Sequence, residues 1–338
     1  MRLAVFLAVL AALSACADAP PAAPAAVRTF TDDVGRTVRV PARPARVVPL
    51  APSLTETLVA AGGLARLAAV TPYETVPAAV RALPTVGTYP LDREALLALG
   101  ADLVVGTDQV NDPAEGDALA ALGVPAVYFR FETLADVPRV LRRLGALLGT
   151  ERTAEAAADS FAARLARATA PPPARPPSTL VLIGDDVLYA FGRASYVHEM
   201  VRRAGGASAT RTLPGEGVTL ASEWVVAQAP ERIVVLAGPG YRAADLLAKH
   251  PAWARVPAVR TGHVCGVDPD LLSRPGPRLP AGVAALRACL AAASERQASG
   301  GGGVSRTSRS WLSANATRVP DAAARTTWCC ASAVSPAR

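Results

Sequence analysis

The sequence predicts an α/β protein of two lobes, each with a central, mostly parallel sheet flanked by helices, joined by one long helix. Three observations carry this. Short β-rich runs alternate with helical stretches over residues 46–148 and again over 179–293; an unbroken helical stretch at 150–168 separates the two series; and a helix-into-strand segment of the first series recurs in the second.

In order, the first lobe reads as runs at 46–50, 54–61, 67–70, 92–99, 103–106, 116–122, 124–129 and 134–148. Strand and helix in alternation argue for a parallel sheet covered on both faces. Residues 150–168 place Ala, Glu, Arg and Phe at helical spacing and meet no Gly or Pro until Pro171, Pro172 and Pro173, so nothing ends the helix early. The second lobe resumes at 179–183, 196–204, 222–228, 232–236, 241–248 and 263–267 and closes with a helix at 282–293. The repeat aligns residues 94–105 with 223–234, and an acidic residue, Glu94 or Glu223, opens the helix in both copies.

The N-terminus carries Arg2, an apolar run over 3–13 and then Leu13-Ser14-Ala15-Cys16. The run is too short to span a bilayer and reads as an export signal. The small residues before Cys16 resemble the lipobox of bacterial lipoproteins, in which the cysteine sulfur is acylated and the chain is cut just before it. An ordinary cleavable signal with a chance cysteine is the alternative; both take the protein out of the cytoplasm. Lipid chains at Cys16 anchor a protein through buried methylenes and leave its folded part in water. The expected organisation is a lipoprotein signal peptide at 1–15, a Pro/Ala-rich tether at 16–29, an N-terminal lobe at 30–149, the connecting helix at 150–170, a C-terminal lobe at 171–293 and a disordered tail at 294–338. The tail's abrupt change in composition also fits a shifted reading frame.

The formal charge is +7, but six arginines against Glu295 and Asp321 place +4 of it in the tail. The rest is spread thinly, without the basic stripe or interleaved aromatics that a nucleic-acid surface needs. Five cysteines make no disulfide framework at this length. Cys265 and Cys289 fall in an expected strand and helix; pairing is open to them, and two buried thiols are the preferred reading.

Signs of catalysis are few. The three histidines, His198, His250 and His263, show no metal-ligand spacing, and neither a nucleophile elbow nor a phosphate loop between strand and helix is present. The stretch Ala51-Pro52-Ser53-Leu54-Thr55-Glu56 follows the first strand, and Ser53 with Glu56 has the spacing of a capping box. It also sets a helix N-terminus at the C-terminal edge of a parallel sheet, where α/β folds bind ligands.

Together with 83–87 leading to Glu94, 101–105, and 223–235, this stretch resembles the class III solute-binding proteins of ABC importers, which take cobalamin, haem and ferric siderophores. The likeness covers about residues 30–292. It implies two lobes held rigidly by one helix, a ligand cleft between them, and one glutamate on each lobe, here Glu94 and Glu223, docking on an ABC permease dimer with its ATPase subunits. It implies a monomer, no cofactor of its own, a membrane contact through the lipid anchor only, and a ligand that is a cobalamin-type corrinoid or ferric chelate, with haem less favoured. Matching cleft positions are Ser53, Tyr73, Tyr89, Thr107, Tyr189, Phe191, Asp270 and Arg274, with Arg278 able to pair with an anionic ligand. Cobalamin binders of the family tend to place tryptophans where this chain has Thr88, Thr107 and Gly217. The tyrosine that ligates haem iron in other members lies one position from Tyr89. Members with a cysteine at 289 pair it with the position of Ala204. The competing functions are an exported chelatase-like enzyme, with His198 or Asp270 as proton acceptor, and a surface sensor of the same ligands.

Overall fold

The structure is a computed structural model that describes residues 26–298. The leader, Cys16, the tether up to residue 25, and the tail from 299, with Cys329 and Cys330, lie outside the described residues.

The chain enters through an antiparallel hairpin of β1 (Val27–Thr31) and β2 (Thr37–Pro41). Sequence reading missed this pair, and β1 takes residues 27–29 out of the expected tether. Its tip is set by Asp32, whose carboxylate accepts from the backbone of Val34 and Arg36. Arg139 and Arg143 ion-pair with Asp33 and fasten the tip to the lobe.

The N-terminal lobe then builds β3 (Val47–Pro49), α1 (Pro52–Ala60), α2 (Arg93–Ala98), β4 (Leu103–Thr107), α3 (Glu115–Ala121), β5 (Ala126–Phe129) and α4 (Asp136–Leu148). Its sheet is fully parallel in the order β3-β4-β5. The run at 67–70 forms only single bridges, from Leu67 to Val47 and from Val70 to Thr85, and is not a strand. Gly149 at φ +71° ends α4, and α5 (Glu151–Ala168) follows as the connecting helix.

The C-terminal lobe holds β6 (Ser178–Leu182), β7 (Tyr189–Phe191), α6 (Val197–Arg203), β8 (Ala207–Ser208), β9 (Gly217–Thr219), α7 (Ser222–Gln228), β10 (Arg232–Val235), α8 (Ala243–Lys249), α9 (Pro257–Arg260), β11 (Val264–Gly266) and α10 (Leu279–Ala298). Its sheet runs β11-β10-β6-β7-β9, with β8 also on β6. The β6, β8, β10 and β11 pairings are parallel, whereas β7 and β9 add antiparallel. Helix α10 runs to Ala298, so the expected tail boundary at 294 falls inside it.

Strand side chains alternate between faces, and the parity decides which core each joins. In lobe one, Val47, Leu103, Val105, Val127 and Phe129 face the same way as Val181 and Val234 of lobe two: into a shared core with α1, α4, α5, α6 and α10. Phe161 and Leu165 of α5 sit inside it. The opposite faces close two private cores. One holds Val48, Val104 and Tyr128, and the other Leu180, Ile233 and Trp253. The lobes are therefore joined by a continuous apolar interior as well as by a covalent strut, and residues 26–298 belong to one compact unit.

Cys265 on β11 and Cys289 on α10 are joined as a disulfide, with Cα atoms 6.1 Å apart. This corrects the reading of two free thiols. Helix α10 packs back across β10, which brings residues 24 apart in sequence to bonding distance. No helix among the described residues is long and apolar enough to cross a membrane.

Candidate functional site

Helix α1 starts with Pro52 at its first position and has Ala51 as N-cap, with no side chain capping it. The capping box expected from Ser53 and Glu56 does not form. Ser53 lies inside the first turn and is buried, and its carbonyl accepts from Thr57 Oγ1 at 2.6 Å. The Glu56 carboxylate turns instead to lobe two, where it accepts from Arg278 Nε and Nη2, both at 2.7 Å. Glu56 has a side chain 6% exposed, so this fork-to-fork pair is largely withdrawn from water on the carboxylate side.

A second tier surrounds that pair. Arg274 Nε lies 3.0 Å from Asp270 Oδ1; Arg274 also donates to Thr75 Oγ1 at 2.9 Å and to the Tyr73 carbonyl at 3.2 Å. Thr75 Oγ1 in turn donates to Asp270 Oδ2 at 2.8 Å. Asp270 and Arg274, expected as polar clamps for a ligand, are thus spent on lashing the loop at 71–75 of lobe one to the loop at 269–278 of lobe two. On the far side of the junction, the Leu134 N–H donates to Glu199 on α6 at 3.2 Å.

Glu74 lies beneath this lashing. Thr55 and Thr71 hydroxyls donate to its Oε1 at 2.7 and 3.0 Å, while Oε2 is buried and has no partner among the described residues. Burial pushes its carboxyl above the usual range, and the two threonines offset only part of that. A separate charged group lies at the edge of lobe one within electrostatic reach of Glu216 of lobe two. Arg130 pairs with Asp108, from which it is 2.5 Å away, and sits near Glu132 at 3.8 Å. Glu216, just before β9, responds to the same charges. Although the residue as a whole is exposed, local burial first and then the like charges of Asp108 and Glu132 push its carboxyl up. None of Glu56, Glu74, Asp108, Arg130 or Glu216 was singled out by sequence as a junction residue; Glu56 finds its partner 222 positions away, and the nearer partners of Glu74 and Arg130 follow no helical or strand spacing.

The aromatic positions divide. Tyr73 is 54% exposed and Tyr89 69%, both on loops of lobe one. Tyr189 opens β7, opposite Thr219 in register. A Cβ built on Gly217 would meet Tyr189 Oη at 1.9 Å, so the tyrosine ring lies across the space a side chain at 217 would take. The want of a tryptophan at Gly217 is therefore matched by an aromatic ring reaching in from the neighbouring strand. Phe191 differs: it is buried in the shared core and is no wall of a cleft. Thr107 is also buried, at the end of β4, with its hydroxyl lacking a partner among the described residues.

His198 gives no proton acceptor for ligand chemistry. Its Nδ1 bonds with Ser208 Oγ and its Nε2 with the Gly192 carbonyl, both at 2.7 Å, and burial lowers its basicity. His250 is held by the Asp185 carbonyl and stacks on Trp253. Glu94 and Glu223 occupy the second position of α2 and α7, and both are exposed without an ion pair among the described residues.

Residues 47–271 match the family described as "Periplasmic binding protein". Among curated proteins, the chain is 28% identical over 242 residues to a vitamin B12-binding protein of Pectobacterium carotovorum, which covers 70% of this chain and 85% of that one. It is 27% identical over 267 residues to an uncharacterized ABC transporter substrate-binding lipoprotein of Bacillus subtilis, covering 76% and 83%. Among solved structures, a periplasmic heme-binding protein from Pseudomonas aeruginosa aligns with a TM-score of 0.63 at 30% identity, over 73% of this chain and 92% of that one.

Proposed function

We propose that this chain, which belongs to the periplasmic binding protein family, is the substrate-binding component of an ABC importer for a large metal complex. It is a binder and not an enzyme. The ligand is a cobalamin-type corrinoid or a ferric chelate, captured outside the cytoplasmic membrane. The observation that carries this reading is the junction itself: two α/β lobes share one core and expose tyrosines, with Tyr189 laid over Gly217 at the edge of lobe two. Tyrosine rings beside a few charged groups suit a bulky, partly planar ligand. Likeness to a vitamin B12 binder in sequence supports the corrinoid. Haem is the second reading, favoured by the exposed phenols of Tyr73 and Tyr89 and by the likeness to a heme-binding structure.

The test is a visible absorption spectrum after incubation with cobalamin, hemin and ferric siderophores in turn. A saturable one-to-one change with one of them, and no turnover, is the expected result. No change with any of them overturns the ligand class. Glu94 and Glu223 are the permease contacts on this reading, since a two-fold permease is met by one charge from each lobe. Acylation of Cys16 keeps the protein at the membrane face from which the permease is reached.

A further inference from the structure

Away from the lobe junction, a cavity of about 560 Å³ opens where the β1–β2 hairpin meets the end of α4, with Arg28, Arg43, Arg66 and Glu151 as its charged lining. We propose that it binds a phosphate-type oxyanion, either the phosphodiester of a phospholipid headgroup or free phosphate. Three guanidiniums against one carboxylate leave the lining at +2. None of the three forms an ion pair among the described residues, whereas most other arginines around lobe one are spent on carboxylates.

The site is built rather than incidental. Arg28 Nη2 donates to the carbonyls of Ala146 and Leu147 at 2.7 and 2.6 Å, which fixes its plane in the wall. Its Nε is buried and has no partner among the described residues. Arg66 is held by one bond to the Pro44 carbonyl, and Arg43 is exposed with all its donors unspent among the described residues. Planar, permanently charged forks with donors left over are the side-chain chemistry that takes phosphate oxygens. A buried N–H without a partner is destabilising, and an oxyanion within its reach would supply the missing acceptor.

The chain's own entry lies beside the cavity. Ala42, on its wall, donates its N–H to the Ala26 carbonyl at 2.7 Å, so whatever precedes residue 26 leaves from this rim. A stretch of ten residues, as separates Cys16 from residue 26, reaches at most about 30 Å. An anchor at Cys16 would therefore keep three arginines, unpaired among the described residues, within reach of headgroups, where cations are drawn to an anionic surface.

The experiment uses the full chain and its Arg43→Gln/Arg66→Gln variant, both in a Cys16→Ser background so that acylation contributes nothing. One arm measures flotation with phosphatidylcholine vesicles with and without phosphatidylglycerol; the other measures equilibrium dialysis of labelled inorganic phosphate. Flotation only with phosphatidylglycerol, weakened at least about tenfold in the variant, supports the site with the headgroup as its source. Saturable phosphate binding without flotation, lost in the variant, supports it with free phosphate as source. Neither form of binding, or binding that the variant leaves unchanged, overturns it. Should the double variant fail to fold, Arg43→Glu alone, at an exposed position, must weaken whichever binding is seen, or the proposal fails.

Discussion

In lobe one the helix bearing Glu94 ends at Gly100, with φ +60°, and feeds β4; in lobe two the helix bearing Glu223 ends at Ala229, with φ +47°, and feeds β10. Both turns come six residues after the glutamate. Glycine enters that left-handed region freely, whereas alanine is held there against a preference of about 1–2 kcal/mol. The same module is thus drawn twice, once with the fitting residue and once against local preference. Packing of helix on strand, more than the residue at the turn, sets where each glutamate stands. The lobes differ again at their facing edges. Lobe one offers a purely parallel sheet and loop tyrosines, whereas lobe two extends its sheet with antiparallel β7 and β9 and supplies Tyr189 from a strand.

The strongest way to break the comparison is to remove the charge each lobe presents. Glu94→Ala with Glu223→Ala should abolish uptake in whole cells and leave ligand affinity unchanged, and either single change should cause a similar partial loss. A loss confined to one lobe's variant would end the two-fold reading, and a loss of ligand binding would remove docking as the role. Next in size is the bond between the lobes. Glu56→Gln leaves Arg278 with only the more distant Asp270 carboxylate, 3.8 Å away, and should cost about 2–3 kcal/mol in urea unfolding. Replacing both partners, as Glu56→Leu with Arg278→Met, should return most of that loss.

The turn itself gives a smaller effect. Ala229→Gly should raise stability by about 1 kcal/mol, and Gly100→Ala should lower it by a similar amount, both read from thermal midpoints. Equal and opposite shifts would sharpen the equivalence of the two modules. The smallest effect is a slope with pH. Glu74 is raised in the folded state, so below its ordinary value of 4.5 the group is protonated whether folded or unfolded and contributes no difference. As pH climbs from 4.5 through the raised folded value, the unfolded chain ionises more readily and stability falls. Glu74→Gln should flatten that slope in unfolding curves taken from pH 4 to pH 8; an unchanged slope would place its cause elsewhere.

The alternating elements, the long central helix and the internal repeat were legible in the sequence, because each rests on local periodicity. Helix 222–228 falls where the pattern puts it, as does strand 103–106 to within one residue. The hairpin at 27–41 was hidden by the Pro/Ala-rich stretch before it, and the three-residue strands β7 and β9 are too short to show a period. The junction was least legible. Ser53 and Glu56 have the spacing of a local cap, but Pro52 already begins the helix without needing one, and a fixed guanidinium 222 positions away claims the Glu56 carboxylate. The disulfide escaped for the same reason: spacing says nothing about which helix folds back on which strand.

The shared core and the Glu56–Arg278 bond have a consequence for traffic at the permease. On the proposed docking role, a binder whose halves are bolted together would keep nearly the same outline empty and full, with Glu94 and Glu223 at a fixed separation in both. Empty copies would then compete with loaded ones for the same landing place. Sorting productive from idle encounters would then fall to the cargo itself and to the transporter, which would have to do the prying.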